Sequence, residues 1–221
     1  MGASAGVACQ ADEGAVRRLD GALALAGRVV AAVSVPVEID HYVAEAGLRH
    51  GGANSCPHLD PIDADAWLLD YNHGCVPRSG WLPATVSGTL ALDVGPTAVV
   101  ATSLDLTVDL EARVEASIEL PRSSDQAIGW VSANDWVVEL DIAIVRSGDH
   151  ARITGSAVVD GVDIELDDVR LGPATTACIA PVAGMARVPS EMTSITFGDQ
   201  VEAVSGTFAA KVGACRYAAL F

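Results

Sequence analysis

Two cysteine–histidine pairs have the residue types and spacing that come nearest to a reactive site. One residue separates Cys56 from His58, and the pair His73 and Cys75 mirrors this arrangement. Two thiolates and two imidazoles are ligands that zinc accepts, although paired zinc ligands usually lie farther apart in the sequence. A disulfide between the two cysteines, with solvent-exposed histidines, is the competing interpretation. Because the other cysteines also form local pairs, the sequence favours the disulfide.

The five cysteines predict two local disulfides and one cysteine outside them. Cys56 and Cys75 flank a turn-rich stretch, while Cys178 and Cys215 flank the C-terminal quarter of the chain. We therefore expect the bridges Cys56–Cys75 and Cys178–Cys215, with Cys9 unpaired. Disulfides are typical of oxidising compartments, so these bridges predict a location outside the cytoplasm.

Cys9 ends the segment Gly6-Val7-Ala8-Cys9, which resembles the end of a bacterial lipobox with glycine in the place of leucine. We expect residues 1–11 to form a flexible N-terminus in which Cys9 carries a lipid. The alternative is a free thiol in a disordered segment. No apolar stretch is long enough to predict a transmembrane helix, so this lipid would be the means of membrane attachment.

Two acidic clusters contain the carboxylates that calcium prefers. The clusters are Asp60, Asp63 and Asp65, and then Asp160, Asp163, Asp167 and Asp168. Neither cluster has the spacing of an EF-hand loop, and the second one falls on the solvent face of a predicted strand. We therefore predict no metal and no cofactor.

The segment Gly2-Ala3-Ser4-Ala5-Gly6 matches the G-x-S-x-G pattern of serine hydrolases. That pattern works only as a strained turn between a strand and a helix, with a histidine and an acid nearby. Here no strand precedes it, so the match is a coincidence of small residues. With no other nucleophile–base pair in the sequence, we predict that the protein is not an enzyme.

The tryptophans could form a platform on which sugars stack. They are Trp67, Trp81, Trp130 and Trp136. Burial in the core is the usual place for such side chains. Trp130 and Trp136 are separated by residues 131–135, which we predict to form a loop or hairpin tip, so we expect one of the two to be exposed.

The elements that must position these residues are mainly strands. Every second residue from Leu104 to Leu120 is apolar and every residue between is polar, a period that only an extended backbone matches. This stretch either forms one long ribbon or bends once to serve two sheet regions. Alternation returns in residues 136–144 and 162–167, with turns at Asp160-Gly161 and residues 147–149. The pattern predicts an antiparallel sandwich or a partly open barrel of roughly seven to nine strands.

One or two helices precede these strands. Apolar residues recur at helical spacing through residues 12–33, Pro36 interrupts the pattern, and a second short helix is expected over residues 37–49 with Gly51-Gly52 as its stop. We therefore divide the chain into an N-terminal tail (1–11), a helical segment (12–52) and an antiparallel β domain (53–221).

The charge of the chain limits its partners. It carries 29 acidic and 13 basic residues, a net charge of −16. Phosphate backbones and anionic membrane surfaces repel such a chain, so we expect no nucleic-acid partner.

Several short motifs resemble a family of uncharacterised secreted lipoproteins of Gram-negative bacteria. Its lead-in, C-P followed by D-[FY]-G-x-G-C, matches Cys56-Pro57 and residues 70–75, in which Asn72 replaces glycine. Further matches are Ser79-Gly80, residues 86–89, residues 181–184 and residues 195–197. The resemblance implies a lipobox cysteine, a short helical N-terminal segment, a β domain and a location in the cell envelope or outside the cell. It implies no activity.

Three functions remain in competition at this point. The first is a non-catalytic cell-envelope β protein, lipid-anchored through Cys9, with a structural or binding role. The second is a carrier that holds an apolar ligand inside a curled sheet. The third is a glycan-active hydrolase that uses two carboxylates brought together by the fold.

Overall fold

The computed structural model describes residues 12–45, 56–77, 81–82, 85–109, 112–172 and 180–218. Within them a long helix, α1 (Glu13–Glu45), comes first and a short helix, α2 (Ala214–Ala218), comes last. The strands between them are β1 (His58–Pro61), β2 (Ala66–Asp70), β3 (Val86–Ser87), β4 (Thr89–Val94), β5 (Ala98–Ser103), β6 (Thr107–Val108), β7 (Ala112–Pro121), β8 (Gln126–Ala133), β9 (Trp136–Ser147), β10 (His150–Val159), β11 (Val162–Leu171), β12 (Pro181–Val188), β13 (Thr193–Phe197), β14 (Gln200–Ser205) and β15 (Phe208–Gly213).

The strands of the described part form one open antiparallel sheet of fifteen members. Most strands pair with the next one along the chain, while β3 and β6 pair with each other beside the main path. The predicted mainly β, antiparallel class is confirmed. The predicted number of strands, roughly seven to nine, is wrong, and the strands belong to a single sheet instead of the two sheets of a sandwich. The excess comes largely from the short strands β1–β5, which precede the alternating stretch in the sequence.

Helix α1 continues through Pro36, so the predicted break between two helices is wrong. Proline removes one backbone hydrogen bond and costs a helix about 3 kcal/mol. Every residue from 29 to 39 is buried, and each large apolar side chain buried in this way contributes roughly 1.5–3 kcal/mol. Burial therefore outweighs the cost of the proline. Gly51-Gly52, the predicted stop of the second helix, lies outside the described residues.

The sheet curves around α1. The helix contacts β8, β9, β10 and β12–β15, and burial on all its sides requires strands on more than one side of it. The segment Glu13–Val43 is long and apolar enough to cross a membrane, but 83% of its most apolar window is buried in the fold. Helix residues such as Val29 and strand residues such as Ile142 belong to one hydrophobic core.

Three glycines in alternate strands allow this curvature. At Gly129 in β8 an added Cβ would lie 2.0 Å from the carbonyl oxygen of Ser117, and at Gly155 in β10 it would lie 2.4 Å from that of Asp141. Gly184 in β12 approaches β11 in the same way. Glycine kinks and bulges are the usual means of bending a sheet, and the pairing of β10 with β11 shifts register beside Gly155. Side chains at these positions would push neighbouring strands apart.

The apolar alternation from Leu104 to Leu120 serves two strands, as the second of its two interpretations predicted. β6 and β7 pair with each other, so the chain reverses between them. Asp109 makes the reversal possible with a left-handed φ of 53°, and its backbone N–H donates to the carbonyl oxygen of Thr85 at 2.8 Å. The long alternation therefore does not form one continuous ribbon.

Replacing Gly129 with alanine should destabilise the fold, because the new Cβ meets backbone atoms of β7 that cannot move separately from the strand. We expect a loss of about 2–4 kcal/mol in the free energy of unfolding, measured by urea denaturation. Gly21→Ala is the matched control: Gly21 is an exposed helical position with open space around it, so alanine should raise stability by up to about 1 kcal/mol. Equal stability of the Gly129→Ala variant and the wild type would contradict this account of the curvature.

Candidate functional site

The disulfide Cys56–Cys75 is confirmed, with its two Cα atoms 6.0 Å apart. The bond uses both sulfur atoms, so the alternative of two zinc-bound thiolates is wrong. His58 instead lies beside Asp60, with 2.9 Å between Nε2 and Oδ1, and His73 is exposed. Cys75 also pairs with Val86 through two backbone hydrogen bonds of 2.9 Å. The disulfide and these hydrogen bonds together join residues 56–75, which we call the lead-in segment, to β3.

Cys215, in α2, also takes part in a disulfide. Its predicted partner, Cys178, lies outside the described residues, so the pairing Cys178–Cys215 stays a prediction. Cys9, the expected lipidation site, and the segment 2–6 with its G-x-S-x-G match also lie outside them.

The lead-in segment contributes a buried tyrosine to the core beside α1. Tyr71 is 1% exposed, and its hydroxyl donates to Oε1 of Glu38 at 3.5 Å. Burial, and then the nearby Glu38 carboxylate, raise the pKa of Tyr71 well above its usual value. Burial likewise raises the pKa of Tyr217 in α2. These buried hydroxyls are part of the packing between helix and sheet.

The acidic clusters are engaged in local contacts of the fold. Asp63 accepts a hydrogen bond from the backbone of Asp65 at 2.9 Å, which closes a turn. Asp160 pairs with Arg28 of α1 at 2.6 Å and thereby ties the β10–β11 turn to the helix. Among the described residues, no group of three potential ligands is arranged to hold a metal ion.

Asp168 of the second cluster stabilises the irregular pairing of β11. It has a left-handed φ of 49°, and its carboxylate lies 2.6 Å from Arg152 and 2.9 Å from Arg170. Hydrogen bonds from Arg170 and then from Arg152 lower the pKa of Asp168. Its charge is therefore used within the sheet.

One of Trp130 and Trp136 is exposed, as predicted, but not because it lies at a hairpin tip. Residues 131–133 belong to β8 and only residues 134–135 form the turn. Trp130 therefore lies inside β8, 38% exposed on the outer face of the sheet, whereas Trp136 is buried. Trp81 is buried and Trp67 is partly buried against the core.

Trp130 lies at the centre of an outer surface that we call the Trp130 face. Its residues are Ile128, Trp130, Val137 and Val158, together with Glu119, Glu139 and Asp141. A groove of about 400 Å³ runs over most of it, between β8, β9 and β10. The sequence marks this surface only weakly: Ile128 and Trp130 alternate with the buried Ala127 and Val131, so they face outward, but nothing local shows which strands lie beside them.

A second cavity, of about 380 Å³, opens at the C-terminal end of α1. Its apolar walls include Val94, Val99 and Ile144, and Arg122 and Asp125 of the β7–β8 turn line it as well. Nearby, Asp40 of α1 pairs with Arg146 of β9 at 2.5 Å. Sequence analysis did not find this cavity, because it forms where the helix end meets three distant parts of the sheet.

Fold and site together define a disulfide-bonded, mainly β protein with an apolar helix inside its sheet. The chain matches no protein-family model, no curated protein and no solved structure. Its function is therefore argued from its own geometry.

Removing the Cys56–Cys75 bridge should reduce stability without changing the fold. The two cysteines are 19 residues apart, and a bridge across a loop of that length contributes about 3 kcal/mol. We expect the Cys56→Ser/Cys75→Ser double variant to lose about that free energy of unfolding in urea under non-reducing conditions. Cys9→Ser is the control and should unfold like the wild type. A double variant as stable as the control would show that the bridge does not constrain the lead-in.

Proposed function

We propose that this chain is a non-catalytic binding protein of the bacterial cell envelope, held there by a lipid on Cys9. The observation that carries the proposal is the Cys56–Cys75 disulfide, because such bridges persist in oxidising compartments. The lipobox-like segment 6–9 and the resemblance to secreted lipoproteins support the same location.

The packing of α1 supports a binding role on the outside of the protein. Side chains of the helix fill the concave side of the sheet, where a ligand carrier of this shape would hold its cargo. The convex side offers Trp130, Ile128 and Val137, each more than a third exposed. Large apolar side chains grouped on a solvent face are a common mark of interaction surfaces.

Fractionation of cells that express the full gene product tests the location. We expect the wild type in the membrane fraction with an acylated Cys9, detected by mass spectrometry, and Cys9→Ser in the soluble periplasm. In both, Cys56 and Cys75 should be bridged. Recovery of an unmodified wild type from the cytoplasm, with these two cysteines reduced, would refute the proposal.

A carrier of a small amphipathic ligand is the second candidate, favoured by the cavity at the end of α1. Its volume, about 380 Å³, lies in the range of small-molecule sites, and Arg122 and Asp125 lie beside its apolar wall. In this form of the hypothesis the ligand occupies the mouth of the curled sheet and not its helix-filled interior.

A neutral fluorescent probe, N-phenyl-1-naphthylamine, distinguishes this candidate. If the cavity holds ligands, the probe should bind saturably, and Val94→Trp should weaken binding about tenfold or more by filling the cavity. Val145→Trp places the same side chain at an exposed position outside the cavity and should bind like the wild type. Equal binding by both variants would exclude this cavity as the ligand site.

A further inference from the structure

The Trp130 face places apolar side chains and carboxylates at opposite positions of neighbouring strands. Trp130 of β8 lies opposite Glu139 of β9. In the same way Ile128 lies opposite Asp141 on one side and opposite Glu119 on the other. Side chains directly opposite on one face of a sheet have Cβ atoms about 4.5–5.5 Å apart. Trp130 and Ile128 therefore each have a negative charge as a direct cross-strand neighbour, whereas Val137 lies opposite Ser132.

The carboxylates of the Trp130 face form a group on β7 and β9, on either side of β8, without a cationic partner in the described part of the chain. Among the residues that the structure describes, Glu119, Glu139 and Asp141 form no ion pair, whereas Glu115 on the same face lies 3.0 Å from Arg113. On β11, Arg152 and Arg170 contact Asp168, and Arg187 contacts Glu165 and Asp167. Three carboxylates without such partners lie around the exposed tryptophan.

Three large apolar side chains of this face are exposed side by side. Trp130 is 38% exposed, Ile128 41% and Val137 47%, and they are adjacent on β8 and β9. The groove of about 400 Å³ beside them reaches Val158 of β10. Its walls could receive side chains of a partner, and its carboxylates determine the sign of charge that the partner carries.

We propose that the Trp130 face binds a cationic, amphipathic peptide segment of a partner protein. A lysine or arginine of that segment lies over the ring of Trp130 beside Glu139, where cation–π attraction and the carboxylate act on the same charge. Apolar residues of the segment lie against Ile128 and Val137. This inference deepens the proposed function, on which it rests for the binding role, and it names the chemistry of the partner.

Charge complementarity favours this occupant over the others. Anionic membranes and nucleic acids would meet Glu119, Glu139 and Asp141 in addition to the net charge of −16, and would be repelled. A second copy of the chain, joined through this face by two-fold symmetry, would bring the same three carboxylates together without arginines to pair with them. A basic segment has neither disadvantage.

Fluorescence anisotropy with the purified full chain tests the proposal. The probe is a short fluorescein-labelled peptide that alternates lysine with leucine, in a buffer of about 0.15 M ionic strength, where distant charges are screened. A second peptide with glutamate in place of lysine should not bind. A third, in which serine replaces leucine, should bind at least about tenfold more weakly, because it keeps the charge and loses the apolar contacts.

Two matched pairs of variants locate the binding. Trp130→Ala should weaken binding about tenfold or more, whereas Met192→Ala removes another exposed apolar side chain (81% exposed) and should have no effect. Glu139→Gln should weaken binding about fivefold or more, whereas Asp199→Asn removes an exposed carboxylate elsewhere and should leave it within about twofold.

Three results would overturn the inference. In the first, the lysine–leucine peptide does not bind. In the second, the test and control variants lose equal amounts of peptide affinity. In the third, sedimentation shows a dimer of the wild type that Trp130→Ala abolishes. The first two exclude a specific cationic partner, and the third assigns the face to a second copy. None of these results depends on acylation or on location, which the fractionation experiment measures separately. The proposed location and this inference can therefore fail independently of each other.

Discussion

The apolar surface of α1 is the constraint on which the rest of the structure depends. Its residues 29–39 are buried on every side, so a flat sheet, which covers one side of a helix, would leave part of this surface in water. The sheet must therefore have many strands and must curve. Glycines at positions 129, 155 and 184 allow neighbouring backbones to approach closely enough for that curvature.

Ion pairs and the disulfide-bonded lead-in hold the helix in register with the sheet. Arg28 pairs with Asp160 near one part of α1, and Asp40 pairs with Arg146 near its C-terminal end. Just beyond Asp40, Tyr42 donates a hydrogen bond to the carbonyl oxygen of Cys56 at 3.2 Å, next to the bridge. The bridge thus stabilises the position of the helix as well as the lead-in, and it connects the stability of the core to an oxidising environment.

Filling the concave side has a consequence for function. With the interior occupied by protein, contacts with other molecules take place at the mouth of the curled sheet or on its convex face. Most arginines near β11 and α1 pair with nearby acidic residues, whereas the carboxylates around Trp130 have no cationic partner among the described residues. The same alternation that builds the core therefore produces an outer face with two properties, exposed apolar area and negative charge.

Local patterns predicted several elements because their causes are local. Alternation places side chains on opposite faces whatever lies beside the strand, and it located β7, β9 and β11. The turn at Asp160-Gly161 follows from short-range geometry in the same way. Pro36 misled the prediction because the penalty of a proline is local, whereas the burial that outweighs it comes from strands far away in the sequence.

The sequence by itself determined a mainly β, antiparallel, acidic protein with an apolar helix near its start and a local disulfide between Cys56 and Cys75. Only the tertiary structure decided that all described strands join one sheet, that the sheet curves around α1, and that Trp130 lies among Glu119, Glu139 and Asp141. Those features depend on register between strands and on long-range packing. Period-two alternation predicts which face of the sheet a side chain occupies, but it does not predict which strand lies next to it.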